Sequence, residues 1–349
     1  MDGQKIKKSG AVTGTGNEAQ KKKEDRIQEL TEQLQKGIEE LHQSDKFREY
    51  LTAMSKFSSY SAGNILLIAL QRPDCQAVAG YRAWQKNFGR QVVKGAKAIH
   101  IIEPAPWKKR VMETVVDADG NPIYDNNGQP VKHEVEKTIM SYRAGTVFSV
   151  EDTEGRPLPR LVELLDKDVD NFNTLIDVLR KVSPVPIHFV EVEGTANGYY
   201  DLKNREICVD CRLSQLQQVK TVLHEIGHCF AHDLQIGEDI EANQREREVT
   251  AEATAFIVAT YLGLDVSSYS FGYISGWSSG LEAVELQRKL EIIRKTAHTI
   301  ISGIENELQQ RQEIVQEEEI TEEREMLTEV TVVRFQNEKQ KKGLSHRRR

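Results

Sequence analysis

Cysteine is scarce in this 349-residue chain, which has four. That is far below the density of a disulfide-built extracellular scaffold, and with no apolar signal segment at the start the expectation is a cytoplasmic protein. Cys208 and Cys211 stand in ICVDC, half of a zinc ribbon, but no second C-x-x-C exists to complete one. GYYDLKNREICVD reads instead as a hairpin that turns at Leu202–Arg205, so both cysteines are read as packing residues, as is Cys229. Long hydrophobic runs are also missing, and none could span a membrane. The length exceeds a usual single core and implies more than one domain.

Negative charge prevails overall, at -7, but not locally. Residues 44–110 hold twelve Lys or Arg against four Asp or Glu, a balance of +8, so the remainder sums to -15. Residues 1–23 are polar, without apolar periodicity, and read as a disordered lead. Ile27, Leu30, Leu34, Ile38 and Leu41 mark an amphipathic helix over 24–42, and two more follow, over Phe47–Phe57 and from about Ser61 to Leu70. QVVKGAKAIHIIE, 91–103, alternates like a strand pair turning at Gly95. Trp107–Lys137 reads as an inserted hairpin, Arg143–Val150 as a strand, and DTEGRPLP, 152–159, as a linker.

The segment 221–232, TVLHEIGHCFAH, carries the clearest chemistry. His224 and His228 lie one turn apart on a helix and can share one metal ion. Glu225 is rotated about 100° from His224, beside the ion's open position, where its carboxylate can take a proton from a water. Ser214 with Gln217 gives a capping-box start, and Val219, Val222, Leu223, Ile226 and Phe230 keep helical spacing. The bare H-E-x-x-H pattern also fits a surface helix with two solvated histidines, so a third ligand is needed. REREVTAEATAFIVATYLG, 245–263, offers one, because Ala251, Ala255 and Ala259 form a small-residue seam and Glu248 and Glu252 stand one turn apart upon it. One of these can ligate while the other accepts a hydrogen bond from a ligand histidine. His232 is set aside: on a continuous helix it lies about 12 Å from His224 along the axis, too far for both to reach an ion.

Cations interleaved with aromatics are the usual footprint of single-strand binding. Tyr60, Tyr81, Trp84, Phe88 and Trp107 lie among Arg72, Arg82, Lys86, Arg90, Lys94 and Lys97, although Trp84 and Phe88 also suit a helix core. A protein partner for this region is the other reading.

YSAGNILLIAL, VAGYRAWQKNFGRQVVKGAKAIHIIEP and VFSVEDTEG, with the later GYYDLKNREICVD, HEIGH, Glu248-x-x-Ala251-Glu252 and YLGLD, resemble the ArdC-type antirestriction family. The resemblance implies an α+β chain of a mobile genetic element, with a single-stranded-DNA-binding domain over 24–158, a zincin-like metallopeptidase domain over 159–304, and a charged helical or disordered tail over 305–349. It implies DNA contacts at Tyr60, Asn64, Trp84, Arg90, Lys94 and Lys97. Similarity to ImmA/IrrE-type peptidases places the third Zn2+ ligand at Glu248, beside His224 and His228, with Glu252 supporting and Glu225 as general base. Tyr269, Tyr273 or His298 would stabilise the oxyanion. Two functions follow: a peptidase of unknown protein or peptide substrate, or a DNA-coating protector in which zinc is structural.

Overall fold

The computed structural model describes residues 14–158, 171–233, 243–269, 271, 277–278 and 281–345, without the side chains of 14–23, 171, 232–233, 315 and 318–345. The chain divides into two compact units, Met1–Pro157 with Ser270–Glu291 and Leu158–Tyr269 with Ile292–Arg349. Segment 270–291, expected in the second domain, therefore belongs to the first.

Helix α1 (Gly14–Glu40) begins inside the lead expected to be disordered, and residues 1–13 lie outside the described residues. Its apolar stripe buries Leu30 and Ile38. Helix α2 (Ser44–Phe57) buries Phe47, Tyr50, Leu51, Met54 and Phe57, the spacing of one helical face. Phe47 meets Phe271 and Trp277 at ring-centroid distances of 5.5 and 6.1 Å, and Ser44 donates to the Phe271 carbonyl, so Phe271 and Trp277 pack against α2. Helix α3 (Ala62–Gln71) is capped by Ser61, stops before Pro73 and is apolar on most sides, with Ile65, Leu67 and Ile68 fully buried.

Two polar side chains of α3 reach strand β3 (Ile99–Pro104). Asn64 exchanges two hydrogen bonds with the backbone of Ile102, and Gln71 two with His100, at 2.8–2.9 Å. Strand β3 otherwise pairs antiparallel with β6 (Tyr142–Ser149), which also pairs with β1 (Val78–Ala79). Helix α4 (Tyr81–Phe88) follows β1 and ends at Gly89, in the left-handed region. The expected pairing across Gly95 does not form: β2 (Arg90–Val92) pairs instead with β7 (Thr153–Gly155). Alternation and a turn mark strands without naming partners, and a segment read as a linker supplies this one. Strands β4 (Trp107–Thr114) and β5 (Lys132–Ile139) form the inserted hairpin.

In the second unit, helix α5 (Asn171–Val182) precedes a sheet of order β8 (Ile187–Val190), β10 (Glu206–Asp210), β9 (Gly198–Asp201). The central β10 runs parallel to β8 and antiparallel to β9, with Ile207, Cys208 and Val209 buried. Cys211 is exposed, which corrects its reading as a packing residue, because the chain has already left β10. Helix α6 (Gln215–His228) continues into a π-helical turn, Cys229–Asp233, and is followed by α7 (Gln244–Tyr261). Helix α8 (Ala283–Ser345) runs unbroken beyond Ile304, and Leu308 is still buried. No helix among the described residues is long and apolar enough to cross a membrane.

Gly198 sets the seat of β9 on α6. A Cβ there would stand 2.6 Å from Thr221 Cγ2 and 2.7 Å from the Cys208 carbonyl oxygen, so neither side can yield easily. Gly198→Ala is expected to cost about 1–3 kcal/mol of stability, read from urea unfolding of the intact chain. An unchanged midpoint would refute the close seat.

Candidate functional site

Helix α6 starts where Ser214 Oγ accepts from the Gln217 amide, and it buries Val219, Val222, Leu223 and Ile226. Its opposite stripe, Gln217, Lys220, Thr221, His224, Glu225 and His228, lines a cleft of about 900 Å³. Helix α7 has a complete capping box, Asn243 with Glu246, visible in the sequence as Asn-x-x-Glu but missed there. Its seam residues Ala251, Ala255 and Ala259 are wholly buried. At the crossing, a Cβ on Gly227 would lie 3.3 Å from Ala251 Cα, so the third residue after His224 must be small for α7 to come this near.

That approach carries Glu248 and Glu252 to the histidines. His224 Nε2 and His228 Nε2 are 3.0 Å apart, and Glu248 Oε2 lies 3.5 and 3.6 Å from them. These are the residues able to hold a metal ion among those described, their ligand atoms all within 4.8 Å of one another. Glu252 Oε2 stands 3.3 Å from His224 Nδ1, on the other side of the ring. A proton held on Nδ1 by Glu252 leaves the Nε2 lone pair facing Glu248 and His228. Glu225 is buried at the same cleft, beside the backbone amide of Tyr200 in β9.

The charges respond to this crowding. Burial disfavours the His224 cation, yet hydrogen bonds to Glu248 and Glu252 and the charge of Glu225 prevail and raise its pKa to about 9. Glu248 is lowered, first by its hydrogen bond with His224. Glu225 is raised, chiefly by burial, while the nearby His224 cation pulls it down. Of the three oxyanion candidates, Tyr269 lines the cleft, His298 is not among its lining residues, and Tyr273 lies outside the described residues. The side chain of His232 also lies outside them.

In the first unit the residues expected to meet DNA separate into two groups. Trp84 is 1% exposed and donates its Nε1–H to the Phe148 carbonyl at 2.9 Å, so its ring is core and cannot stack on a base, a correction. Helical spacing had allowed this, since Trp84 is the inward member of the Tyr81, Trp84, Phe88 row. Asn64 spends its amide on β3. Tyr60 is half-buried with its hydroxyl on the Val78 carbonyl. Arg90 grips β7 through the Thr153 hydroxyl and carbonyl and the carbonyls of Gly155 and Arg156. Lys94 and Lys97 are exposed, as are Tyr81, Arg82, Lys86 and Phe88 on α4.

In comparison with known proteins, two parts of the chain match two different families. Residues 20–148 match the family described as the N-terminal domain of anti-restriction factor ArdC, and residues 182–270 match the IrrE N-terminal-like domain, Peptidase_M78. The chain thus joins an ArdC-type N-terminal domain to an IrrE-like domain. The uncharacterized protein pXO2-81 of Bacillus anthracis is 25% identical over 76% of this chain and 48% of its own length. DNA primase TraC of Escherichia coli is 26% identical over 60% of the chain and 14% of its own length. The chain thus spans about half of the first curated relative and a small part of the second. Crystal structures of antirestriction protein ArdC from plasmid R388 are similar, the metal-free one at 18% identity with TM-score 0.43, covering 71% of this chain and 86% of that one. The Mn(II)-bound form gives 17%, TM-score 0.40, 70% and 85%.

The raised His224 pKa makes cation uptake and proton release one event. In the cation-free native state His224 keeps its proton to about pH 9, above its ordinary 6.5. Its contribution to stability is therefore complete below about pH 6.5 and is lost as pH rises through about 9. A divalent cation requires the neutral ring, so titration with Zn2+ near pH 7 is expected to expel close to one proton per site. Calorimetry in two buffers of different ionisation enthalpy reads this directly, and equal heats in both would contradict it.

Proposed function

We propose that the chain is a cytoplasmic antirestriction-type protein of a mobile genetic element, whose first unit binds single-stranded DNA and whose second unit is a zinc-dependent peptidase. The observation that carries the peptidase reading is the triangle of His224 Nε2, His228 Nε2 and Glu248 Oε2, with sides of 3.0, 3.5 and 3.6 Å. Ligand atoms on a tetrahedral ion at about 2.1 Å are about 3.4 Å apart, so the donor set fits Zn2+ by size and by chemistry. An ion held by His224, His228 and Glu248 would supply Lewis acidity toward a scissile carbonyl and a water. Glu225, its pKa raised by burial, takes the water's proton and later returns it to the leaving amine. Glu252 holds His224 in the tautomer that presents Nε2. Tyr269 is the candidate that the cleft offers to the developing oxyanion.

For DNA, the reading rests on the exposed groups. Lys94, Lys97, Arg82 and Lys86 would follow phosphates while Tyr81 and Phe88, 48% and 40% exposed, would meet bases. The ArdC N-terminal match and the local excess of cations support it.

Each half has its own test. Glu248→Ala is expected to lose the metal in an elemental assay of the purified protein, whereas Glu225→Gln should keep it and lose at least about a hundredfold in peptide hydrolysis. Antirestriction activity unchanged in Glu225→Gln would leave only the protective, DNA-coating reading with zinc structural. For the first unit, Lys94→Glu with Lys97→Glu is expected to weaken oligonucleotide binding and to flatten its salt dependence by roughly one unit of slope for each phosphate no longer neutralised. An identical salt series for variant and wild type would refute this face.

A further inference from the structure

Lys220 has no part in the chemistry above, yet it lies in the same cleft. It stands one helical turn before His224, on the α6 stripe that faces the cleft, and only 7% of it is exposed. Its Nζ donates to Ser268 Oγ at 2.7 Å and sits 5.1 Å from the centre of the Tyr269 ring. Among the described residues no carboxylate comes within 4.0 Å of that ammonium. Asp265 is held low by the backbone and side chain of Ser267, with Lys220 a lesser influence from farther off.

A hydroxyl and a ring face are weak compensation for a buried ammonium, since taking such a charge out of water is costly unless an anion meets it. The side chain is fixed at both ends, by the helix and by Ser268, so this charge cannot swing out to bulk solvent without giving up those contacts. The residue lines the cleft, and its ammonium has donors beyond the one given to Ser268. The other wall is β9, the outer strand of its sheet, whose Gly198, Tyr199 and Tyr200 also line the cleft. An extended peptide laid beside such a strand advances about 3.3 Å per residue, and one helical turn is about 5.4 Å. Lys220 is thus placed to meet a group within about two residues of the bond presented to His224 and His228.

We infer that Lys220 forms a carboxylate-recognising subsite of the cleft, an inference that rests on the peptidase reading. The carboxylate belongs to an Asp or Glu side chain of the substrate or to its free C-terminus, and either would give the ammonium its missing partner. Lys220 is accordingly a specificity residue and takes no part in bond cleavage.

The test uses one neutral peptide, Glu-scanned position by position, with Gln at the same positions as control and with each C-terminus free or amidated. Binding is measured by fluorescence anisotropy on the full-length Glu225→Gln protein, and cleavage on the protein with Glu225 intact. The expected result is at least about a tenfold preference for one carboxylate-bearing peptide over its neutral counterpart. Lys220→Met should abolish that ratio and Lys220→Arg retain it; the Glu scan and the amidated pair identify which carboxylate is read. A loss equal for acidic and neutral peptides, as from a damaged fold, overturns the inference, and so does the absence of binding by every peptide. Peptides that bind with the Lys220-dependent preference but are never cut leave the subsite standing and overturn the peptidase reading instead.

Discussion

The close crossing of α6 and α7 is the constraint on which the second unit depends. Neither helix holds a complete set of donors, since His224 and His228 come from one and Glu248 and Glu252 from the other. Side chains as short as these meet only if the two backbones nearly touch, and Gly227 against Ala251 is the contact that permits it. The fully buried alanines beyond Ala251 extend the same seam, so the spacing between helices is fixed by packing and not by the polar groups it brings together. The site is in this sense preorganised: its geometry belongs to the apolar interface beneath it.

The polar groups add a second layer of order. Carboxylates from three directions surround one imidazole, and their combined pull outweighs the burial that would strip it of its proton. The proton occupies the place that a cation would take, and the same carboxylates favour either occupant. Nearby, burial acts on Glu225 in the opposite sense and makes it a better base.

Periodicity revealed the helices well, because an apolar stripe at 3.6 spacing is written into consecutive residues, as in Phe47, Leu51 and Met54. The H-E-x-x-H helix and the alanine seam were legible for the same reason. Pairing was not. Strand β2 and its partner β7 lie more than fifty residues apart in sequence, and nothing in Arg90–Val92 identifies Thr153–Gly155 as their complement. The nature of a polar or aromatic residue also misled where its direction mattered: Trp84, Asn64 and Arg90 suit nucleic acid by type, yet each is turned to the protein's own backbone. Lys220 lay in plain view at the right spacing before His224, and only its burial separates it from an ordinary surface lysine.

The amides of Asn64 and Gln71 have a further consequence. An outermost β-strand normally offers a row of unsatisfied backbone groups, on which another chain can add itself as a new strand. In β3 the side chains of a neighbouring helix answer those groups at Ile102 and His100. The β1-β6-β3 sheet is thereby closed along β3 to self-association and to strand-like ligands, which could add to it there only by displacing the two amides.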